Sequence, residues 1–289
     1  MKLSDKNLYY IGGVVRDEFL GTKSFDVDLC YEGNAIEFAK SKNLDIIKEN
    51  PDFGTVRALI DGTEVDIAST RCETYPKKGH LPKVENIGCP LREDLIRRDF
   101  TINAMAKRTT DGKIIDFFDG QKDIKDKCLR VLHRNSFIDD PTRIIRGLKF
   151  SVRFGFELSE DTKVLQEEYL ENINYDMSYH RVKKELAETF MLNKKEAYER
   201  FVNQKIYKLL GENQIIPDFS ADIAKKHIDD NPTEFCWLIW LSGFDLSNLE
   251  LTRAEKRILE WAEKLKTQAP SNNTPPESVI IDKIRRRKC

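Results

Sequence analysis

The sequence predicts an α+β fold, a mixed strand-and-helix head followed by an all-helical remainder. Three observations carry this expectation. Short alternating runs and turn signals fill roughly the first 130 residues. Proline 141, after Asp139 and Asp140, stands where a helix would start. From there to about residue 267 the pattern is successive helices, closed by the loop-like "QAPSNNTPPES".

The elements follow in order. Leu8–Ile11 reads as a strand ending at a glycine turn, and Val14–Leu20 as a helix turn or two. In 25–30, Phe25, Val27 and Leu29 face one way and Asp26 and Asp28 the other, the period of a half-buried strand. Residues 35–42 read as helix. "TVRALIDGTEVDIAST" reads as a hairpin turning at Asp61-Gly62. Residues 71–90, with Gly79, Gly88 and three prolines, read as a moving loop, with His80 on its surface. Strands are expected to stop after about residue 135.

Composition narrows the class. With 289 residues, 40% apolar and 34% charged, the chain can bury a sizeable core in two or three domains. No apolar run approaches the roughly 20 residues that span a bilayer. The N-terminus has no signal-peptide pattern, so a cytoplasmic location is expected. Six cysteines at 30, 72, 89, 128, 236 and 289 form no CxxC pair, which argues for reduced, mostly buried thiols over a zinc site. The net charge of −1 requires any nucleic-acid surface to be local. "SYHRVKKEL" and "KIRRRKC" are candidates, and solvated charge runs fit them equally. Trp237 and Trp240 read as helix core.

Asp26 and Asp28 share a strand face, where their charges repel unless a cation stands between them. Mg2+ fits, since it takes hard oxygen ligands and substrate phosphates. A plain solvated strand face would show the same spacing. The preceding Gly12 and Gly13 point further, because glycine lets a backbone approach a phosphate closely. Arg16 is placed to clamp a phosphate, with Asp17 as a structural partner. Together these describe a nucleoside triphosphate with its metal. Glu64 and Asp66, on one face after the hairpin turn, offer a third carboxylate; Asp66 is the choice.

"YIGGVVRDEFLG…FDVDL" resembles the head motif of the class II tRNA nucleotidyltransferases and bacterial poly(A) polymerases, of the polymerase-β-like superfamily. The resemblance continues in order through "LREDLIRRDFTINAMA", "IIDFFDGQKDIKDKCLRVL" and "FIDDPTRIIRGLKFSVRFGFEL", covering about residues 8–160. It implies a nucleotidyltransferase head at 1–130, a helical neck selecting the base at 131–200, and a helical body with a short tail binding tRNA at 201–289. It implies that CMP and AMP are added from CTP and ATP to the tRNA 3′ end with Mg2+.

By the same resemblance, Arg98 contacts triphosphate or ribose, and Asn103 holds the nucleotide or the backbone beneath it. Locally, Arg97 and Arg98 also suit pairing with Glu93 and Asp94. Asp99 suits a cap, and Phe100, Ile102 and Met105 the core. Asp140 and Arg143 match the positions that select cytosine and adenine, a carboxylate accepting from the exocyclic amine and an arginine donating to the ring nitrogen. Arg146 and Lys149 would assist. Helical spacing puts these four on a ridge opposite an apolar stripe of Ile144, Ile145, Leu148 and Val152, which an ordinary solvated face would also explain. Two departures stand out: Asp139-Asp140 replaces the family's Glu-Asp, and Lys149 replaces an arginine and loses its fork. The loop 71–90 corresponds to the one needed to pass from C to A addition, which argues against a CC-only product. The alternatives are A-adding, CC-adding or poly(A) products from the same head, or a non-catalytic tRNA-binding scaffold.

Overall fold

The computed structural model describes residues 3–22, 27–218, 220–230 and 233–267. The expectations for Asp26, "QAPSNNTPPES" and "KIRRRKC" lie outside the described residues. The chain forms two compact units, Met1–Asp139 with Glu157–Lys163, and Asp140–Phe156 with Val164–Cys289.

The first unit is built on a seven-stranded sheet. Its strands are β1 (Leu8–Ile11), β2 (Asp28–Tyr31), β3 (Asp45–Asn50), β4 (Thr55–Ile60), β5 (Thr63–Ser69), β8 (Met105–Arg108) and β9 (Ile114–Asp116), in the order β3-β4-β5-β2-β1-β8-β9. All pairs are antiparallel except β2 with β5, which makes the sheet mixed. Helix α1 (Gly13–Phe19) follows β1, and α2 (Ala35–Ser41) follows β2. The Asn34 side chain caps α2, accepting from the amides of Ile36 and Glu37, worth about 1 kcal/mol.

Alternation divides the sheet's two faces. Leu8, Leu29, Val56, Val65 and Ile67 pack against Ala35, Ile36, Phe38 and Ala39 of α2. On the other face Tyr9, Ile11 and Cys30 pack with Leu91 and Leu95 of α3 (Leu91–Ile96). This second cover stops short of the β5 side, so Asp28, Arg57, Glu64 and Asp66 stay exposed. The β4–β5 turn falls at Asp61 and Gly62, both at positive φ (50° and 78°), the conformation a two-residue hairpin favours.

The structure alters two expectations for this unit. Residues 71–90 are not a plain loop, because β6 (Arg71–Thr74) and β7 (Lys83–Ile87) pair as an antiparallel hairpin. Pro76 and Pro82 lie in the connection and Pro90 beyond the pairing, so none removes a ladder hydrogen bond. A strand also occurs after residue 135: Cys128–Leu129 (β10) pairs in parallel with Glu157–Leu158 (β11). Helices α4 (Gly120–Lys125) and α5 (Ser136–Asp139) complete the unit.

The boundary between the units falls within α7 (Glu160–Glu171). The second unit holds α6 (Thr142–Phe154), α8 (Tyr179–Phe190), α9 (Lys195–Asn203), α10 (Ala221–Asp230), α11 (Cys236–Leu241) and α12 (Arg253–Thr267). Pro141 precedes α6, and Gly155 ends it at φ 69°. Trp237 and Trp240 are buried, as expected of core. Phe190 and Phe201 meet edge to face, 5.3 Å between centroids. No described helix is long and apolar enough to cross a membrane.

Candidate active site

The parallel register of β2 and β5 sets Asp28 directly opposite Asp66, and neighbouring strands lie about 4.8 Å apart. Both line an open cavity of about 540 Å³, together with Arg57, Arg71, Arg97 and Arg98. Glu64 stands two pairs further on, opposite Leu59, and is not part of this lining. Asp66 is held by Arg57, whose Nε and Nη2 each donate at 2.7 Å to a different carboxylate oxygen. Sequence inspection passed over Arg57, though the signal was present. Counting four residues back from Asp61 and four forward from Gly62 pairs it with Asp66.

Adjacent carboxylates facing a cavity are hard oxygen donors suited to a divalent cation. Among the described residues no group of three or more His, Cys, Asp or Glu could hold a metal ion. The expected ligand set includes Asp26, outside the described residues. The described part supplies Asp28 and Asp66.

The glycine turn sits at the end of β1. Gly12 has φ 67°, and a Cβ there would lie 2.9 Å from Nη1 of Arg98, so a side chain would push the arginine away. Arg16 points inward. Its Nε and Nη2 donate to Asp17, and its Nη1 donates to Oδ1 of Asn103 at 2.6 Å. Asn103 in turn donates to Asp99 at 3.0 Å, and Asp99 accepts from the Phe100 amide. Arg16 is buried, with two guanidinium nitrogens on Asp17 and one on Asn103. Phe100, Ile102 and Met105 are fully buried beneath them.

Arg97 and Arg98 meet at Asp94, whose side chain is 0% exposed. Arg97 donates to it through Nε (3.1 Å) and Nη2 (2.7 Å), and Arg98 through Nη2 at 3.2 Å. The Arg71 amide adds a fourth bond at 3.1 Å. Burial alone would raise this carboxyl's pKa. The guanidinium groups of Arg98 and Arg97 more than offset that and hold it below the usual range. Arg97 also reaches Glu73 on β6 at 2.9 Å. Asp94 thus ties the β6–β7 hairpin to the arginine beside the glycine turn. Glu93, the other expected partner, lies 3.9 Å from Arg92 instead. Burial pushes the Cys89 thiol up to about 12, and Cys30 higher still.

The residues expected to select the base lie on or beside α6 in the second unit. The apolar stripe is buried as expected, but the charged ridge is not solvated, since Asp140, Arg143 and Lys149 are buried too. The reason is α8, whose carboxylates answer the ridge. Lys149 donates at 2.6 Å to both Glu185 and Glu188, and Arg146 reaches Glu185 at 3.3 Å. Asp140 accepts from the Thr142 amide and hydroxyl at 3.1 and 2.6 Å, and its other oxygen pairs with Arg181. In "HRVKKEL", Arg181 and Lys183 are therefore internal partners, Lys183 bonding to Glu255 at 2.6 Å.

Comparison with known proteins agrees with this head. Residues 8–130 match the family model of the poly A polymerase head domain. A solved tRNA-processing enzyme in complex superposes with a TM-score of 0.71 at 30% identity, covering 90% of this chain and 76% of its own. The chain belongs to the class II CCA-adding nucleotidyltransferase family. Within that family, an A-adding tRNA nucleotidyltransferase of Aquifex aeolicus (strain VF5) is 38% identical over 285 residues, 87% of this chain and 32% of the relative. A CCA-adding enzyme of Staphylococcus epidermidis (strain ATCC 12228 / FDA PCI 1200) is 30% identical over 271 residues, 90% and 65% respectively. The chain thus spans about a third of the first of these class II relatives and just under two thirds of the second.

Proposed function

We propose that the chain adds CMP and AMP, without a nucleic-acid template, to the 3′ end of tRNA from CTP and ATP. Residues 1–130 carry the chemistry, 131–200 select the base, and 201–289 bind the RNA by shape and phosphate contacts. The observation that carries this reading is the register of Asp28 against Asp66, facing a cavity that Arg98 also lines.

Asp26 and Asp28 hold the metal, with Asp66 as third carboxylate. Bound Mg2+ would activate the attacking hydroxyl and stabilise the leaving oxygen. The terminal hydroxyl attacks the α-phosphate in line, Asp66 stands beside Asp28 to receive its proton, and pyrophosphate leaves. Gly12 and Gly13 let the backbone approach the triphosphate, and Arg98 contacts it. Arg16 acts through Asn103. Asp140 and Arg143 read cytosine and adenine, with Arg181 fixing one oxygen of Asp140. Arg146 and Lys149 hold this edge through Glu185.

A second reading, addition of the terminal A alone, is favoured by the relatives named A-adding at 38% and 42% identity. Extension of tRNA ending before CCA, or after CC, with CTP, ATP or both separates the two. Addition of C, C and A supports full synthesis, and addition of A only after CC supports the narrower product. Asp28→Asn is expected to cut incorporation by at least about 10³-fold while leaving the fold intact, since its side chain is exposed. An Asp28→Asn protein that still incorporates at the unmodified rate overturns the reading.

A further inference from the structure

Four charged residues form one row across the sheet. Lys48 of β3 pairs with Arg57 of β4, Arg57 with Asp66 of β5, and Asp66 with Asp28 of β2. Residues in register share a sheet face, and all four are exposed and line the same cavity. Along the row the charges run cation, cation, carboxylate, carboxylate. The next strand beyond Asp28 is β1, which ends at the glycine turn beside Arg98.

This order has a direction. In an in-line displacement, nucleophile and leaving group lie on opposite sides of the phosphorus. On the functional reading above, the leaving pyrophosphate lies on the β1 side. The strand carrying the nucleophile then enters over β4 and β3, where the two cations stand. Arg57 presents a planar fork suited to a phosphate as well as a carboxylate, and Lys48 a point charge beside it. A cation held between Asp66 and Asp28 competes with Arg57 for the oxygens of Asp66. When Asp66 turns to the cation, an arm of the fork is released on the side where the RNA arrives.

We propose that Arg57 and Lys48 form a phosphate site for the last phosphodiester of the RNA acceptor strand, positioning its terminal hydroxyl over Asp66 and Asp28. The site rests on the nucleotidyltransferase reading. The ligand chemistry is a phosphate oxyanion. The acceptor strand and the nucleotide's own phosphates are its two possible sources, and the row's order favours the strand.

The test measures binding of a labelled acceptor-stem RNA hairpin to the full chain by fluorescence anisotropy, with Mg2+ and no nucleotide. The RNA carries either a phosphodiester or an uncharged methylphosphonate at its last linkage. The neutral linkage is expected to weaken binding to the unmodified protein about tenfold. Arg57→Gln should lose a similar factor on the phosphodiester RNA and become indifferent to the linkage. Arg57→Lys should recover part of both. Lys48→Gln should lower the slope of affinity against salt by about 0.7–0.9. Binding of ATP and CTP, followed by equilibrium dialysis, should not change in any of these variants.

Retained linkage sensitivity in Arg57→Gln together with weakened ATP binding assigns the site to the nucleotide and overturns the proposal. Unchanged binding of both ligands reduces Arg57 to a counter-charge for Asp66 and also overturns it. If the unmodified protein extends the RNA yet ignores the linkage, the phosphate site alone fails. If it neither extends nor binds RNA, the functional reading fails and the site with it.

Discussion

Asp66 and Asp94 belong to the same unit and each accepts two bonds from one arginine, with a shortest contact of 2.7 Å, Arg57 spanning both oxygens of Asp66 and Arg97 converging on one oxygen of Asp94. Their surroundings are opposite. The Arg57–Asp66 pair is about half exposed on both sides, 49% and 51%. Asp94 is sealed, with Arg97 at 18%, and it also takes Arg98 and the Arg71 amide. An exposed pair is worth about 0–1 kcal/mol, whereas removing one member of a buried pair costs about 3–5 kcal/mol because a buried charge is stranded. Solvent therefore decides which carboxylate is architecture and which can exchange partners. The head fixes its arginines with Asp94 and keeps at the cavity a carboxylate whose partner is cheap to leave.

The sharpest way to break this contrast is at Asp94. Asp94→Ala is expected to lower unfolding free energy by about 3–5 kcal/mol in urea titration. The pH dependence follows from the lowered pKa. A carboxylate held below its ordinary value stabilises the fold fully above the unfolded pKa of about 3.9. It loses that contribution as pH falls through the folded value. Asp94→Asn should therefore flatten stability against pH below about pH 4. An Asp94→Ala protein within 1 kcal/mol of the parent (about a fivefold change in equilibrium constant) would remove the distinction between the forks.

Much of this was legible in the sequence, and what was missed has a physical pattern. Strands β4 and β5 and the Asp61-Gly62 turn follow from alternation and turn chemistry, because each of these strands has one buried face, whereas β1, covered on both faces, shows as a short apolar run ending at a glycine turn. The β6–β7 hairpin was read as loop because Lys83, Glu85, Asn86 and Ile87 are all exposed, leaving little apolar pattern to see. The ridge of α6 fitted a solvated face because its partners, Glu185 and Glu188, arrive from 36 and 39 residues away. The bond from Arg16 to Asn103 was not legible for the same reason, since Asn103 is 87 residues distant. Local periodicity reports which face is apolar. It does not report which charges are answered from elsewhere in the chain.

Between the two extremes lies Asp140, buried but paired with Arg181 at 26% side-chain exposure. Asp140→Ala removes the acceptor for the Thr142 amide and hydroxyl at the start of α6 and strands a partly hydrated arginine. Thermal or urea unfolding should show a loss of about 2 kcal/mol, below that at Asp94. A loss equal to that of Asp94→Ala would mean that partner exposure does not govern the cost.

A smaller effect is expected at the turn that sets the Arg57–Asp66 register. Gly62 has φ 78° and open space around its Cβ position, so Gly62→Ala meets backbone strain without a clash. A cost of about 1 kcal/mol is expected. Since the register is also held by the buried Val56, Val65 and Ile67, the pairing should survive. Loss of the Arg57–Asp66 pair in this variant would show that the turn alone aligns it.

The smallest stability change belongs to Asp66 itself. In metal-free buffer, Asp66→Asn is expected to stay within about 0.5 kcal/mol of the parent. The fork it leaves behind is half in water, and the packed face of β5 is untouched. The same substitution should nonetheless abolish nucleotide incorporation and weaken Mg2+ binding. Urea unfolding and Mg2+ titration on one preparation check both halves. A stability loss approaching that of Asp94→Ala would place Asp66 among the structural carboxylates. Intact incorporation would return the third-carboxylate role to Glu64, on the same exposed face of β5.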